Sequence, residues 1–121
     1  MADKLEKYCL ALDLKDEKEK IDAYVEYHKN VWPEINKSLK DSGIISAEIF
    51  CTGNRLFMIL EVDKSFSFIE KAKLDRSNPK VVEWETLMWQ FQQSLPNSKP
   101  GVKWVLMDKI YDLNETHLYE K

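Results

Sequence analysis

The spacing of apolar residues changes several times along this chain, and the order of these changes restricts the fold more than any other feature. Alternation with a period of two predicts strands, and spacings of three and four predict helices. In chain order, the predicted elements are a strand over 7–14, a helix over 17–30 that restarts at 33 and ends near 41, strands over 44–51 and 55–62, helices over 66–72 and 79–95, and a strand over 102–111. This β-α-β-β-α-β order predicts an α+β, ferredoxin-like fold, with helices on one face of a four-stranded antiparallel sheet.

The turn between the second and third strands predicts that they form an antiparallel hairpin. Gly53 and Asn54, which follow Thr52, both tolerate positive φ angles. The strands carry apolar residues on both faces, although the helices cover only one face of such a sheet. We therefore expect a homodimer in which the uncovered sheet faces of two copies pack together.

Length and composition bound the organisation and the partners. The 121 residues suffice for one hydrophobic core. We assign 1–113 to a single domain and 114–121 to a C-terminal tail, expected to be disordered. The net charge of −3 and the lack of a basic stripe predict no nucleic-acid partner. The sequence shows no apolar run near the ~20 residues that cross a bilayer and no signal peptide, so we expect no membrane association and a cytoplasmic location.

The two cysteines give no sign of a metal site. Cys9 and Cys51 fall in predicted strands and form neither a Cys-x-x-Cys motif nor a Cys/His pair at ligand spacing. We predict that both are buried free thiols.

A histidine within an apolar helix stripe is the strongest indication of a functional site. His28 recurs at helical spacing with apolar residues, so its side chain is expected to point into the domain. The stripe comprises Ile21, Tyr24, Val25, His28, Trp32, Ile35 and Leu39. An inward imidazole near a tyrosine hydroxyl and an indole can transfer protons near neutral pH. The alternative is a core histidine that hydrogen-bonds a backbone carbonyl, and the spacing is compatible with both.

Two tryptophans of the predicted helix over 79–95 are further candidates. Trp84 lies on the apolar stripe of that helix, which is typical of a core residue but also suits stacking on a sugar. Trp89 lies off the stripe, beside Glu85 and Gln92, which suits the wall of a pocket as well as a core position.

Two glutamates alternate with apolar residues in predicted strands. Glu48 and Glu61 either face solvent or are partly buried and need a partner such as Arg55, a histidine or a ligand hydroxyl.

Several of these residues together resemble the L-rhamnose mutarotase family. The matching pattern is Tyr24-x-x-x-His28-x-x-x-Trp32-Pro33-Glu34, followed by Gly43, Asn54-Arg55-Leu56, Glu61 and Trp84. The resemblance implies a dimeric α+β barrel of ferredoxin-like domains that interconverts the α and β anomers of a 6-deoxy-sugar without a cofactor or metal. It also implies that His28 is the catalytic acid/base and that Tyr24 contacts the sugar.

Two positions depart from the bacterial rhamnose enzymes. Glu85 stands where they carry the second of two adjacent tryptophans, and Ala47 stands where they carry a sugar-contacting tyrosine. The Trp-Glu-x-Leu-Met sequence is similar to a branch associated with L-fucose. We therefore predict a mutarotase for L-rhamnose or L-fucose. The residues expected to contact this monosaccharide are Tyr24, Trp32, Glu48, Trp84, Glu85 and Trp89.

Two other functions fit the same architecture. A cofactor-free, dimeric ferredoxin-like monooxygenase also uses inward histidine, tryptophan and asparagine residues, but on flat aromatic substrates. A small-ligand binding module would hold a sugar without chemistry.

Overall fold

The computed structural model describes residues 5–114. Its elements are β1 (Glu6–Leu14), α1 (Lys18–Tyr27), α2 (Pro33–Asp41), β2 (Ile44–Thr52), β3 (Arg55–Val62), α3 (Phe68–Ser77), α4 (Pro79–Trp89), β4 (Gln92–Gln93) and β5 (Val105–Leu106). None of the helices within this range combines the length and the hydropathy needed to span a bilayer. The predicted tail lies outside the described residues, apart from its first residue.

The sheet has the predicted ferredoxin-like topology. Its strands lie in the order β2-β3-β1-β4, β5 also pairs with β1, and all pairs are antiparallel. Leu12 pairs with Leu56, and Leu10 with Met58, so these four residues share one face of the sheet. The fold-class prediction is therefore confirmed.

The C-terminal part of the domain differs from the sequence prediction. The helix expected over 79–95 ends at Trp89, and Gln92–Gln93 instead pair with the outer edge of β1. The strand expected over 102–111 is reduced to Val105–Leu106, which pair further along the same edge. Two short segments thus share the position of the fourth strand, because the open edge of β1 needs hydrogen-bond partners along its length.

The helix boundaries follow local capping chemistry. The Ser67 hydroxyl accepts a hydrogen bond from the Glu70 amide, so α3 begins at Phe68 and not at 66. The Asn78 side chain accepts from the Lys80 amide, and Pro79 occupies the first position of α4.

The core lies between the helices and one face of the sheet. It forms two clusters, one between β1, β3 and helices α1, α2 and α4, and one under the start of β2. The first comprises Leu14, Tyr24, Ile35, Leu56, Val81, Trp84 and Met88, and the second Leu10, Ile44, Leu60 and Val62. Val25, expected on the buried stripe, is exposed, because the side of α1 that carries Tyr24 faces the core and Val25 lies one position off it.

The opposite face of the sheet carries no helix. Arg55 donates to Asp13 across β3 and β1 at 2.8 Å and 3.1 Å, so it does not pair with Glu61.

The two cysteines differ in burial. Cys9 is half-buried and Cys51 is exposed, and the prediction that both are buried is wrong for Cys51. β2 is an edge strand whose residues are exposed from Ala47 onward, which explains this difference.

Candidate functional site

A cavity of about 470 Å³ lies between the helices and the covered face of the sheet. Its apolar walls come from α2, β2 and β3 and include Ile35, Leu39, Ile44, Ala47, Ile49, Met58 and Leu60. Its polar or charged lining includes Tyr24, His28, Lys71, Asp75, Glu85, Gln92 and Lys103. A largely apolar cavity with a few polar groups is the usual design of a small-molecule site, and its size is within the typical range of ~300–1,000 Å³.

His28 lines this cavity at the C-terminal end of α1. Its Nδ1 lies 2.8 Å from the backbone oxygen of Tyr24. Because a carbonyl only accepts, Nδ1 carries the proton and Nε2 keeps its lone pair. The histidine therefore satisfies both interpretations of its sequence position: it bonds a backbone carbonyl, and it also faces a cavity.

The protonation state of His28 follows from its burial. Desolvation lowers the pKa of His28 below its ordinary value, and the hydrogen bond to the Tyr24 carbonyl opposes this only in part. At neutral pH the ring is neutral, so Nε2 is available as a proton acceptor.

Tyr24 packs against the imidazole and also lines the cavity. Its ring centroid lies 4.4 Å from that of His28. Its side chain is 3 % exposed, and this burial raises the pKa of Tyr24 to about 12. The phenol therefore stays protonated and can donate a hydrogen bond to a ligand.

Gln92 is a site residue whose role the sequence did not indicate. Its Nε2 donates to the Tyr24 hydroxyl at 3.2 Å, and the residue is 6 % exposed. The sequence placed Gln92 on a helix. In the structure it pairs with Leu14, on the covered face of the sheet. This pairing depends on contacts between residues far apart in the chain, so no local signal could have revealed it.

Trp84 and Trp32 form an aromatic wall beside the histidine. Trp84 lines the cavity, with its ring centroid 5.6 Å from that of His28 at an interplanar angle of 70°. Trp32 packs edge-on against Trp84 at 5.0 Å and is not part of the lining. Trp32 therefore orients Trp84 and does not face the cavity.

The other three candidates are distributed differently. Glu85 lies on the cavity wall, as predicted. Glu48 pairs with Ile59, and both belong to the sheet face opposite the cavity. Trp89 lines a shallower depression with Gln90 and Gln93, outside the main cavity.

A charged pair on α3 completes the lining. Lys71 Nζ lies 2.6 Å from Asp75 Oδ2, and the two side chains are 22 % and 16 % exposed. An i,i+4 pair of opposite charges is typical of a solvated helix surface, so its spacing does not indicate a position in a cavity. Within residues 5–114, no three His, Cys, Asp or Glu side chains come together in a way that could hold a metal ion.

The fold and the cavity first define a class of protein. This is a ferredoxin-like α+β domain that encloses a small-molecule site with one neutral imidazole. The family model for L-rhamnose mutarotase matches residues 7–113. The chain is 40% identical to an L-fucose mutarotase of Xanthomonas campestris, over 92% of this chain and 90% of the relative. The chain therefore belongs to the L-rhamnose mutarotase family, whose members are carbohydrate isomerases.

Solved structures agree on the fold. The crystal structure of an L-rhamnose mutarotase from Formosa agariphila superposes with a TM-score of 0.66 at 24% identity, and covers 89% of this chain and 98% of the other. A dimeric ferredoxin-like protein from an uncultured marine organism gives a TM-score of 0.51 at 14% identity, with 88% and 91% covered.

Proposed function

We propose that this protein interconverts the α and β anomers of a 6-deoxy-hexopyranose, with L-fucose as the first candidate and L-rhamnose as the second. The observation that carries the proposal is His28, which lines the cavity with Nδ1 bonded to a carbonyl and Nε2 left as a base. L-fucose comes first because the relative from Xanthomonas campestris is an L-fucose mutarotase.

The reaction requires two coupled proton transfers. A proton leaves the anomeric hydroxyl, another reaches the ring oxygen, and the bond between C1 and the ring oxygen breaks to give the open-chain aldehyde. Rotation about C1–C2 and closure on the other carbonyl face, with the roles of acid and base reversed, give the other anomer. His28 takes the anomeric proton at Nε2 and returns it on closure.

A second group must serve the ring oxygen. Tyr24 and Glu85 both line the cavity. The Tyr24 hydroxyl stays protonated, so it can give its proton to the ring oxygen as the bond to C1 breaks and take it back when the ring closes. Glu85 can accept hydrogen bonds from the sugar hydroxyls. Glu48, predicted to contact the sugar, belongs to the other face of the sheet.

The rest of the cavity suits a deoxy-sugar. The aliphatic side chains of Ile44, Ile49 and Leu60 offer an apolar surface for a methyl group and for ring C–H groups. Trp84 lies where its indole can contact the pyranose.

A homodimer fits the uncovered sheet face. Phe50 on β2 is exposed, and Phe57 lies beside it on β3 at a centroid distance of 6.4 Å. Ile59 belongs to the same face. A second copy of the chain would remove this apolar surface from water. Sedimentation equilibrium measures the mass of the protein in solution and so shows whether it is a monomer or a dimer.

A cytoplasmic location also stays a prediction.

Saturation-transfer proton NMR at the anomeric positions tests the function. Saturation of the α signal should pass to the β signal of L-fucose or L-rhamnose in the presence of catalytic amounts of protein, and not for D-glucose. The His28→Asn variant should lose about 10²- to 10⁴-fold in rate while remaining folded, since this is what general acid–base catalysis contributes.

The matched control is His117→Asn, which removes the other histidine of the sequence and should leave the rate unchanged. Full activity of the His28 variant would exclude His28 as the acid/base. No transfer for any 6-deoxy-sugar would reject the mutarotase, and oxygen uptake or binding without exchange would then identify the oxygenase or the binding module.

A further inference from the structure

The charged pair Lys71–Asp75 differs from the other lysine–aspartate pairs at the same spacing. Lys18–Asp22 on α1 has the same 2.6 Å separation between Nζ and Oδ2, but its side chains are 88 % and 63 % exposed. The side chains of Lys71 and Asp75 are 22 % and 16 % exposed. Both of the latter also line the cavity, as His28 does from another helix.

Helix stabilisation does not account for this position. An i,i+4 pair acts equally well on the solvent side of a helix, whereas withdrawing two charges from water costs free energy. Core packing does not account for the position either, because α3 contributes no buried residue to the core. Apolar side chains of similar size would cover the cavity wall without that desolvation cost.

We propose that Lys71 and Asp75 bind neighbouring hydroxyls of the sugar and so determine which sugar is accepted, an inference that rests on the proposed function. The Asp75 carboxylate accepts hydrogen bonds from hydroxyl protons, and the Lys71 ammonium donates to hydroxyl oxygens. A donor and an acceptor held 2.6 Å apart match two adjacent hydroxyls of a pyranose, each of which both donates and accepts. The anomeric centre then lies at His28, and the hydroxyls that face α3 are those on the other ring carbons.

Partial desolvation makes this pair selective. A site built to hydrogen-bond a hydroxyl rejects an analogue that lacks it, because its own polar groups are left unpaired. Sugars that differ only in the orientation or presence of these hydroxyls are therefore separated at α3. His28 acts on the anomeric centre that all of them share.

The test uses near-isosteric, uncharged variants. Lys71→Met and Asp75→Asn, singly and together, are compared with Lys18→Met and Asp22→Asn as the matched control pair. A further variant, Lys71→Asp/Asp75→Lys, keeps an ion pair on α3 but exchanges the two groups. Circular dichroism shows whether each variant is folded. Binding of L-fucose, L-rhamnose and the 3-deoxy and 4-deoxy analogues of L-fucose is followed by tryptophan fluorescence, since Trp84 and Trp104 line the cavity. Exchange is followed by saturation transfer.

We expect the Asp75 and Lys71 variants to weaken binding of the preferred sugar by about 10- to 100-fold, as for the loss of hydrogen bonds to charged groups. Their exchange rate at saturating sugar should change much less, because His28 is intact. The variant with the exchanged pair should bind the preferred sugar as weakly as the variant in which both groups are uncharged. A deoxy analogue that lacks a contacted hydroxyl should bind the wild-type protein weakly and lose little further in the variants.

The outcomes separate the two proposals. Wild-type affinity and wild-type sugar preference in the folded Lys71 and Asp75 variants would overturn this inference and leave the mutarotase intact. Full recovery by the exchanged pair would also overturn it, since it would show a structural role alone. Binding that depends on the pair, without anomer exchange, would support this inference and reject only the mutarotase. No binding of either sugar by the wild-type protein would overturn both.

Discussion

Replacement of Gly43 by alanine should destabilise the fold more than the same change at Gly53. Gly43 joins α2 to β2 and has a φ angle of +97°. An added Cβ would lie 2.6 Å from Ser65 Oγ, 2.8 Å from Asp63 Oδ1 and 3.1 Å from the backbone nitrogen of Phe66. All three distances are shorter than an ordinary van der Waals contact.

Two costs add at this position. A side chain in a positive-φ conformation costs about 1–2 kcal/mol. Crowding costs roughly 1–3 kcal/mol more, because Ser65 and Asp63 are bonded to each other and cannot move apart freely. The sum is about 2–5 kcal/mol, which lowers Tm by roughly 8–20 °C for a chain of this size at about 4 °C per kcal/mol.

Gly53→Ala is the matched control. Gly53 has a φ angle of +55°, and an added Cβ would meet no atom within 4 Å. Only the backbone cost of about 1–2 kcal/mol remains, so Tm should fall by roughly 4–8 °C. Differential scanning calorimetry of the two variants measures the difference. Equal decreases in Tm would refute the argument from the contacts with Ser65 and Asp63.

The remaining predictions concern the site. The rate of anomer exchange should rise with pH through the pKa of His28 in the folded protein, which lies below 6.5, and level off above it, because the neutral ring is the base. A rate that falls with rising pH between 5 and 7 would contradict this assignment. The His28→Asn variant should lose this pH dependence. Because the pKa of His28 is lower in the folded protein, the unfolded chain binds the proton at a higher pH than the folded one does. The free energy of unfolding of the wild type, relative to that of His28→Asn, should therefore fall as the pH drops from 6.5 to the pKa of the folded protein and stay constant below it. Chemical denaturation at several pH values measures this difference. Tyr24→Phe should cost about 1 kcal/mol of stability because it removes the acceptor of the Gln92 amide; the cost should be smaller in a Gln92→Leu background, and equal costs in both backgrounds would show that this hydrogen bond contributes nothing.

The sequence determined the features that depend on neighbouring residues. The alternation in β1 and β3 placed their leucines on one face, and the turn at Gly53 paired β2 with β3. The spacing of Tyr24 and His28 directed both side chains inward, because a helix brings residues four apart onto the same face. These periodicities are local, so the ferredoxin-like order and the inward histidine followed from them directly.

The tertiary structure decided which polar groups meet the histidine. Gln92 left the predicted helix because the edge of β1 offered it hydrogen bonds, and only then did its amide reach Tyr24. Lys71 and Asp75 have the same residue types and spacing as a pair on the solvated surface of α1, and nothing in their own segment distinguishes the two. Whether such a pair meets solvent or a cavity depends on how the helix packs, which is set by contacts between residues far apart in the chain.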